Sequence, residues 1–143
     1  MSIVYFDASA FVKLLVEEDG TDLAVELWDG CDAAVSSRLA YPEVRAALAA
    51  AVRAGRIDAP DHAALENRWE TYWSAVRQVE LTAAVASVAG DLCRDHSLRG
   101  ADGVHLASAL KFADSDPVVA VWDSRMAAGA LGVGLRVAPT PTS

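Results

Sequence analysis

Asp7 and Asp123 each close a run of apolar residues. Ile3-Val4-Tyr5-Phe6 leads straight into the first, and Val118-Val119-Ala120-Val121-Trp122 into the second. Such runs read as buried strands, and in open parallel sheets sites form at the carboxyl ends of the strands. A carboxylate there is costly unless it caps a helix, takes hydrogen bonds or binds a cation. Glu43 stands one residue after Pro42, at the start of an Ala-rich stretch, and Asp102 lies just ahead of another amphipathic stretch. Either of these could complement a helix dipole. Four carboxylates at element ends, all able to face one sheet edge, suggest a further purpose, because close carboxylates raise one another's pKa unless a divalent cation neutralises them. Oxygen-only ligation suits Mg²⁺ or Mn²⁺ over zinc, and magnesium commonly shares its remaining positions with waters and phosphate oxygens. That chemistry points to phosphoryl transfer or phosphodiester hydrolysis.

The elements that would position these acids alternate along the chain. After the first strand, Ser9 to Val16 takes up helical spacing, and Thr21 or Asp22 opens a helix to about Trp28. Ala33 to Ser36 predicts a second strand. Ala40 to Ala54 predicts a strong helix, with Pro42 in its first turn and Gly55 at its C-terminus. Asp58-Ala59-Pro60-Asp61 opens a helix through Trp73, Val76 to Leu81 alternates as a strand, and Thr82 caps a helix to about Asp95. Leu98 to Gly103 reads as a loop feeding a helix from Val104 to Phe112. Beyond Asp123, a short helix from Arg125 to Leu131 leads to a last strand, Leu135 to Val137. Strand–helix alternation of this kind implies an α/β fold with a mainly parallel central sheet flanked by helices.

Composition bounds the reading. A chain of 143 residues, 53% of them hydrophobic, predicts one domain and excludes disorder as its main state. The domain is expected over residues 1–138, with a flexible tail from 139 to 143. Twelve basic against twenty acidic residues give a formal net charge of -8, which argues against a general nucleic-acid coat protein but not against a nuclease. No apolar run approaches the roughly 20 residues of a membrane span, and the N-terminus lacks the basic start of a signal peptide. Cys31 and Cys93 show no metal-ligand spacing and read as two buried free thiols. The expectation is a soluble, cytoplasmic protein.

Four segments bring the chain close to a known family. Asp7-Ala8-Ser9-Ala10-Phe11-Val12-Lys13-Leu14 resembles the opening motif of PIN-domain nucleases, and Ser37-Arg38-Leu39-Ala40-Tyr41-Pro42-Glu43-Val44 resembles the segment carrying their second acid. Leu98-Arg99-Gly100-Ala101-Asp102-Gly103-Val104-His105-Leu106-Ala107-Ser108-Ala109 is very similar to their third motif, and Val121-Trp122-Asp123-Ser124-Arg125-Met126 resembles the fourth. The resemblance spans residues 3–137. Within the superfamily the chain looks like a VapC-type toxin of a toxin–antitoxin pair. The likeness implies a PIN-like fold and an acidic quartet of Asp7, Glu43, Asp102 and Asp123 that holds one or two Mg²⁺ ions, with Mn²⁺ as a possible substitute. Ser9 matches a hydroxyl position that orients Asp7 or a bound water. The resemblance further implies endonucleolytic cleavage of RNA leaving a 5′-phosphate, a homodimer, and a cognate VapB-type antitoxin lying across the active site. The fourth motif departs from the family where Val121 replaces a frequent Thr, and where Ser124 precedes the basic Arg125.

Lys13, Arg38, Arg45, Arg99 and Arg125 lie near the motifs and are candidates to contact RNA phosphates, against the alternative of solvated surface cations. His105 follows Asp102 by three and could approach the site, but an oxygen quartet needs no imidazole, so a packed or surface histidine is the first expectation. Trp69, Tyr72 and Trp73, at helical spacing, read as core, with a partner groove as the alternative. An aspartyl-phosphate phosphatase of the haloacid dehalogenase type would want a second acid where Ser9 stands. A receiver domain would want one beside Asp7, where Ala8 stands. The remaining alternatives are a non-catalytic PIN-like RNA-binding module and a nuclease acting on structured DNA.

Overall fold

The computed structural model describes residues 1–141. Strands β1 (Ile3–Phe6), β2 (Ala33–Ser37), β3 (Arg77–Val79), β4 (Val118–Ala120) and β5 (Arg136–Ala138) alternate with helices α1 (Ala8–Leu15), α2 (Thr21–Gly30), α3 (Ala40–Arg53), α4 (Ala59–Ser74), α5 (Ala83–His96), α6 (Gly100–Leu110) and α7 (Ser124–Gly132). All five strands are parallel, in the order β3-β2-β1-β4-β5. The chain lays β2 and then β3 outward from one side of β1. It then crosses back to place β4 on the other side, with Tyr5 opposite Val35 on one flank and Val119 on the other. The winding therefore reverses between β1 and β4. Asp7 and Asp123 follow the carboxyl ends of those two strands, where open α/β sheets form their crevices.

Because strand side chains alternate faces, each central strand feeds two cores. Val4, Phe6, Ala34 and Ala120 pack with α1 to α4, whereas Ile3, Tyr5, Val35 and Val119 pack with α5 to α7. The first core is rich in aromatic rings. Phe11 of α1 lies 4.9 Å from the Trp69 ring, 5.3 Å from Phe6 and 6.1 Å from Trp73, in the offset and edge-on geometries such rings favour. Trp69 and Trp73 are buried, as expected of core residues, and Tyr72 is half-buried against Trp28. This anchoring fixes the helix that Asp7 begins.

The second core explains a difference from the sequence reading. The expected loop at Leu98–Gly103 already enters α6 at Gly100, so Asp102 lies inside a first helical turn. Gly103 marks a close approach: a Cβ there would meet the Ala89 carbonyl oxygen at 2.7 Å and Cys93 Sγ at 2.5 Å. The glycine lets α5 and α6 pack closely, and it does not end a helix. Helix α2 is preceded by Gly20 at φ +95° and is not capped by Thr21 or Asp22. The Thr21 hydroxyl instead donates to the Lys13 carbonyl at 2.9 Å. Thr82 does cap α5, accepting from the Val85 N–H at 3.2 Å. The third strand is confined to Arg77–Val79, an edge strand paired only with β2, where Val76 to Leu81 was expected.

Both cysteines are free thiols, half-buried and not fully buried as expected. Strand β5 ends at Ala138, where the expected tail begins. Residues 142 and 143 of that tail lie outside the described residues. Among the described residues no helix is long and apolar enough to cross a membrane.

Candidate active site

Asp7 and Asp123 occupy equivalent places and divide their oxygens in the same way. Each is the N-cap of the helix that follows it. Asp7 Oδ1 accepts from the Ala10 N–H at 2.9 Å, and Asp123 Oδ1 from the Met126 N–H at 2.8 Å. Capping and site-building are thus compatible, because one carboxylate oxygen satisfies the helix end and the other is not needed for the cap. Ser9 Oγ also donates to Asp7 Oδ1, at 2.8 Å, so Ser9 orients this carboxylate while Oδ2 takes no hydrogen bond among the described residues. Asp7 is only 7% exposed. Burial pushes its pKa up. The nearby His105 and the hydrogen bonds from Ala10 and Ser9 oppose that shift, and the neighbouring Glu43 carboxylate adds to it.

Glu43 lies in the first turn of α3 and Asp102 in the first turn of α6, each beside a helix N-terminus that favours negative charge. Asp102 Oδ2 folds back to accept from the Arg99 N–H at 3.4 Å. The Arg99 guanidinium then bridges two of the acids, with Nε 3.3 Å from Asp102 Oδ2 and Nη2 3.6 Å from Asp123 Oδ2. Glu43 has a different partner: His105 Nε2 lies 2.5 Å from its Oε1. The structure thus brings the four acids together as two pairs. Asp7 and Glu43 neighbour each other on the β1 side, and Asp102 and Asp123 share Arg99 on the β4 side. Helix α6 joins the pairs, carrying Asp102 and His105 one turn apart.

As the side chains stand, no three His, Cys, Asp or Glu among the described residues converge on one point that could hold an ion. The donor set nevertheless fits a hard divalent cation. It is all oxygen, it includes a buried carboxylate with an uncommitted oxygen, and two of its members are held by an arginine that is itself 67% exposed and can swing away. Asp7, Glu43, Asp102 and Asp123 are the residues that would hold Mg²⁺ or Mn²⁺.

The basic candidates separate clearly. Lys13 is spent on the protein itself: Nζ donates to Glu18 Oε1 at 3.1 Å and to the Asp19 carbonyl at 2.7 Å, and it lies 5.0 Å from the centre of the Trp122 ring. Arg38 forms a forked pair with Glu80, and Arg45 pairs with Glu66. Arg99 is engaged by the two acids. Arg125 is exposed in the first turn of α7, just after Asp123, and forms no ion pair among the described residues. His105 is the residue sequence reasoning undervalued. It is buried, as a packed histidine would be, yet it touches a site carboxylate. Its spacing of three from Asp102 was the one available signal.

Parallel order, switch point and acid placement together define an open α/β domain with a carboxylate-lined crevice, and the comparison with known sequences gives its family. The chain belongs to the PIN domain family, whose sequence profile matches residues 4–126. Its relatives within that family are VapC proteins: ribonuclease VapC45 and ribonuclease VapC49, from two strains of Mycobacterium tuberculosis. Each is 63% identical over 139 residues, spanning 97% of this chain and 96% of the relative. Among solved structures, FitAcB from Neisseria gonorrhoeae superposes with a TM-score of 0.71 at 17% identity, over 94% of this chain and 95% of the other. A toxin–antitoxin complex from Klebsiella pneumoniae gives 0.61 at 18% identity, over 90% and 93%. At those identities the two structures speak for the fold alone.

Proposed function

We propose that this protein is a metal-dependent endoribonuclease, the toxin of a type II toxin–antitoxin pair, which hydrolyses phosphodiester bonds in RNA and is neutralised by a cognate VapB-type antitoxin. The observation that carries the reading is the placement of Asp7 and Asp123 at the β1/β4 switch point. Each commits Oδ1 to its helix; Asp7 Oδ2 takes no hydrogen bond among the described residues, and Asp123 Oδ2 pairs with Arg99, with Glu43 and Asp102 alongside. The names of the relatives, ribonucleases of the VapC type, support RNA as the substrate. The Klebsiella pneumoniae neighbour, a toxin–antitoxin complex, supports a protein partner. A homodimer is part of the same proposal.

When bound, Mg²⁺ or Mn²⁺ would neutralise charge on the scissile phosphate and lower the pKa of a water. The rest is the work of the chain. Ser9 and the Ala10 N–H hold Asp7 through Oδ1 and leave Oδ2 without a hydrogen bond among the described residues. The α3 and α6 N-termini place Glu43 and Asp102 where their backbone dipoles favour anions. Arg99 occupies the Asp102–Asp123 gap as an internal counter-charge, and Arg125 offers an unpaired guanidinium to a phosphate beside that gap.

The test is cleavage of a mixed RNA pool by the purified full chain, with Mg²⁺, with Mn²⁺ and with chelator, beside Asp7→Asn and Asp102→Asn. Metal-dependent cutting that both variants lose is the expected result. RNA left intact while Mn²⁺ still binds would refute the cleavage and leave an RNA-binding module. Cutting that survives both substitutions would refute the site.

A further inference from the structure

His105 lies on α6 with both ring nitrogens engaged by distant parts of the chain. Nδ1 is 2.7 Å from the Tyr5 hydroxyl, 100 residues away in sequence, and Nε2 is 2.5 Å from Glu43 Oε1, 62 residues away. Tyr5 is fully buried on β1, two residues before Asp7, and its hydroxyl accepts from the Ser37 N–H at 3.1 Å. Burial holds that phenol protonated far above its ordinary range. The Ser37 N–H, Tyr5, His105 and Glu43 therefore form one connected line joining the ends of β1 and β2 to α6 and α3. A carboxylate only accepts, so Nε2 donates to Glu43.

Packing alone does not call for this arrangement. A histidine that merely fills a core needs its nitrogens satisfied, and backbone carbonyls of its own helix or a water would do. Here the satisfying group is an acid of the candidate site. Glu43 has three rotatable bonds and is partly exposed, so on its own it would sample several rotamers. Asp7 is already held by Ser9 and Ala10, and Asp123 by Met126. Among the described residues, Glu43 has no hydrogen bond from its own helix end, and His105 supplies the hold instead.

We infer that His105 is a positioning residue for Glu43, pinned to the sheet through Tyr5, and that by holding Oε1 it restricts the rotamer with which Glu43 would meet a divalent cation. This rests on the metal-site reading proposed above. A hydrogen-bonded partner that orients a ligating carboxylate governs affinity for the ion without touching it.

The experiment is Mn²⁺ binding to the purified full chain, followed by electron paramagnetic resonance, in wild type, His105→Leu, His105→Gln and Tyr5→Phe. Thermal melts of each are recorded without metal. His105→Leu keeps apolar volume but removes the donor, and it should weaken Mn²⁺ binding by about 10–100-fold. His105→Gln can return an N–H toward Glu43 and should recover affinity to within about threefold of wild type. Tyr5→Phe frees Nδ1 and should fall between the two. A merely structural His105 predicts that affinity follows melting temperature and that Gln rescues nothing, which would overturn the inference. Wild-type affinity in a folded His105→Leu would also overturn it. Should His105→Leu fail to fold, the ring ¹⁵N resonances of the wild-type protein decide. Added Mg²⁺ should move those of His105 and leave His62 and His96 in place, and an unmoved His105 overturns the inference. Wild-type protein that binds no Mn²⁺ at all overturns the metal reading itself, a distinct outcome.

Discussion

Replacing Asp7 with asparagine should make the metal-free protein more stable while removing its activity. The side chain is 7% exposed, and burial raises its pKa, so above that raised pKa the folded state carries an ionised carboxylate in a poorly solvated place. Asparagine keeps the oxygen that accepts from Ser9 and from the Ala10 N–H, and asparagine and aspartate are comparable N-caps. The α1 cap is therefore retained and only the charge is lost. Single stabilising substitutions commonly gain about 0.5–2 kcal/mol, which for a chain of this length is about 2–7 °C in Tm. Asp7→Ala loses the cap as well and should fall below Asp7→Asn by about 0.5–2 kcal/mol. The pH dependence follows from the raised folded pKa. The wild-type penalty is complete above that pKa and fades as pH falls through it toward the unfolded value, so the gap between variant and wild type is widest above the folded pKa and closes in acid. Saturating Mg²⁺ should stabilise wild type by binding linkage and leave the variant nearly unchanged, narrowing the gap from the other side. Urea and thermal unfolding in chelator, followed from acid to mildly alkaline pH, measure the effect. An asparagine variant no more stable than wild type under those conditions would refute the account of Asp7 as a buried, strained charge.

Two glycines in helix interiors make a matched pair. Around Gly90 of α5 a Cβ would meet nothing within 4 Å, so Gly90→Ala should stabilise by about 1 kcal/mol. Gly103→Ala drives a methyl group against the Ala89 carbonyl and should destabilise by about 1–2 kcal/mol once the helix-propensity gain is subtracted, both read by urea unfolding. Arg99→Gln removes the guanidinium that competes for Asp102 and Asp123. Because that arginine is largely exposed, the pair is worth at most about 1 kcal/mol, and Mn²⁺ affinity measured by calorimetry should rise by no more than about fivefold. Arg125→Gln should lower the slope of log affinity for single-stranded RNA against log salt by about 0.7, the loss of one phosphate contact.

The parts of the fold visible in the sequence are those specified by near neighbours. Ile3-Val4-Tyr5-Phe6 is apolar on both faces because β1 is covered on both faces, and Thr82 caps its helix through its own side chain. The placement of all four acids at element ends was legible, because it is a local property. The start of α6 was not legible, because Gly100 and Gly103 carry the composition of a loop, whereas the reason for Gly103 lies in α5. His105 was undervalued for the same reason: Glu43 and Tyr5 are far away in sequence, and no local spacing announces them. Arg38 looked free until the fold brought Glu80 to it from the far end of β3. Lys13 looked free because the chain folds back after α1 to place Glu18 and the Asp19 carbonyl over it.

The strand order has a consequence for the chain as it is synthesised. Strand β1 is made first and β4 follows more than a hundred residues later, yet the two lie side by side and supply Asp7 and Asp123 to the same crevice. A nascent chain that has not yet delivered residues 118–120 has one flank of β1 unpaired, an open edge with unsatisfied backbone groups. It holds Asp7, Glu43 and Asp102 and lacks Asp123. The crevice thus forms late, on closure of a long-range contact that is entropically slow to make. Truncated products of this chain therefore lack the assembled crevice, and the open edge of β1 exposes them to aggregation and proteolysis.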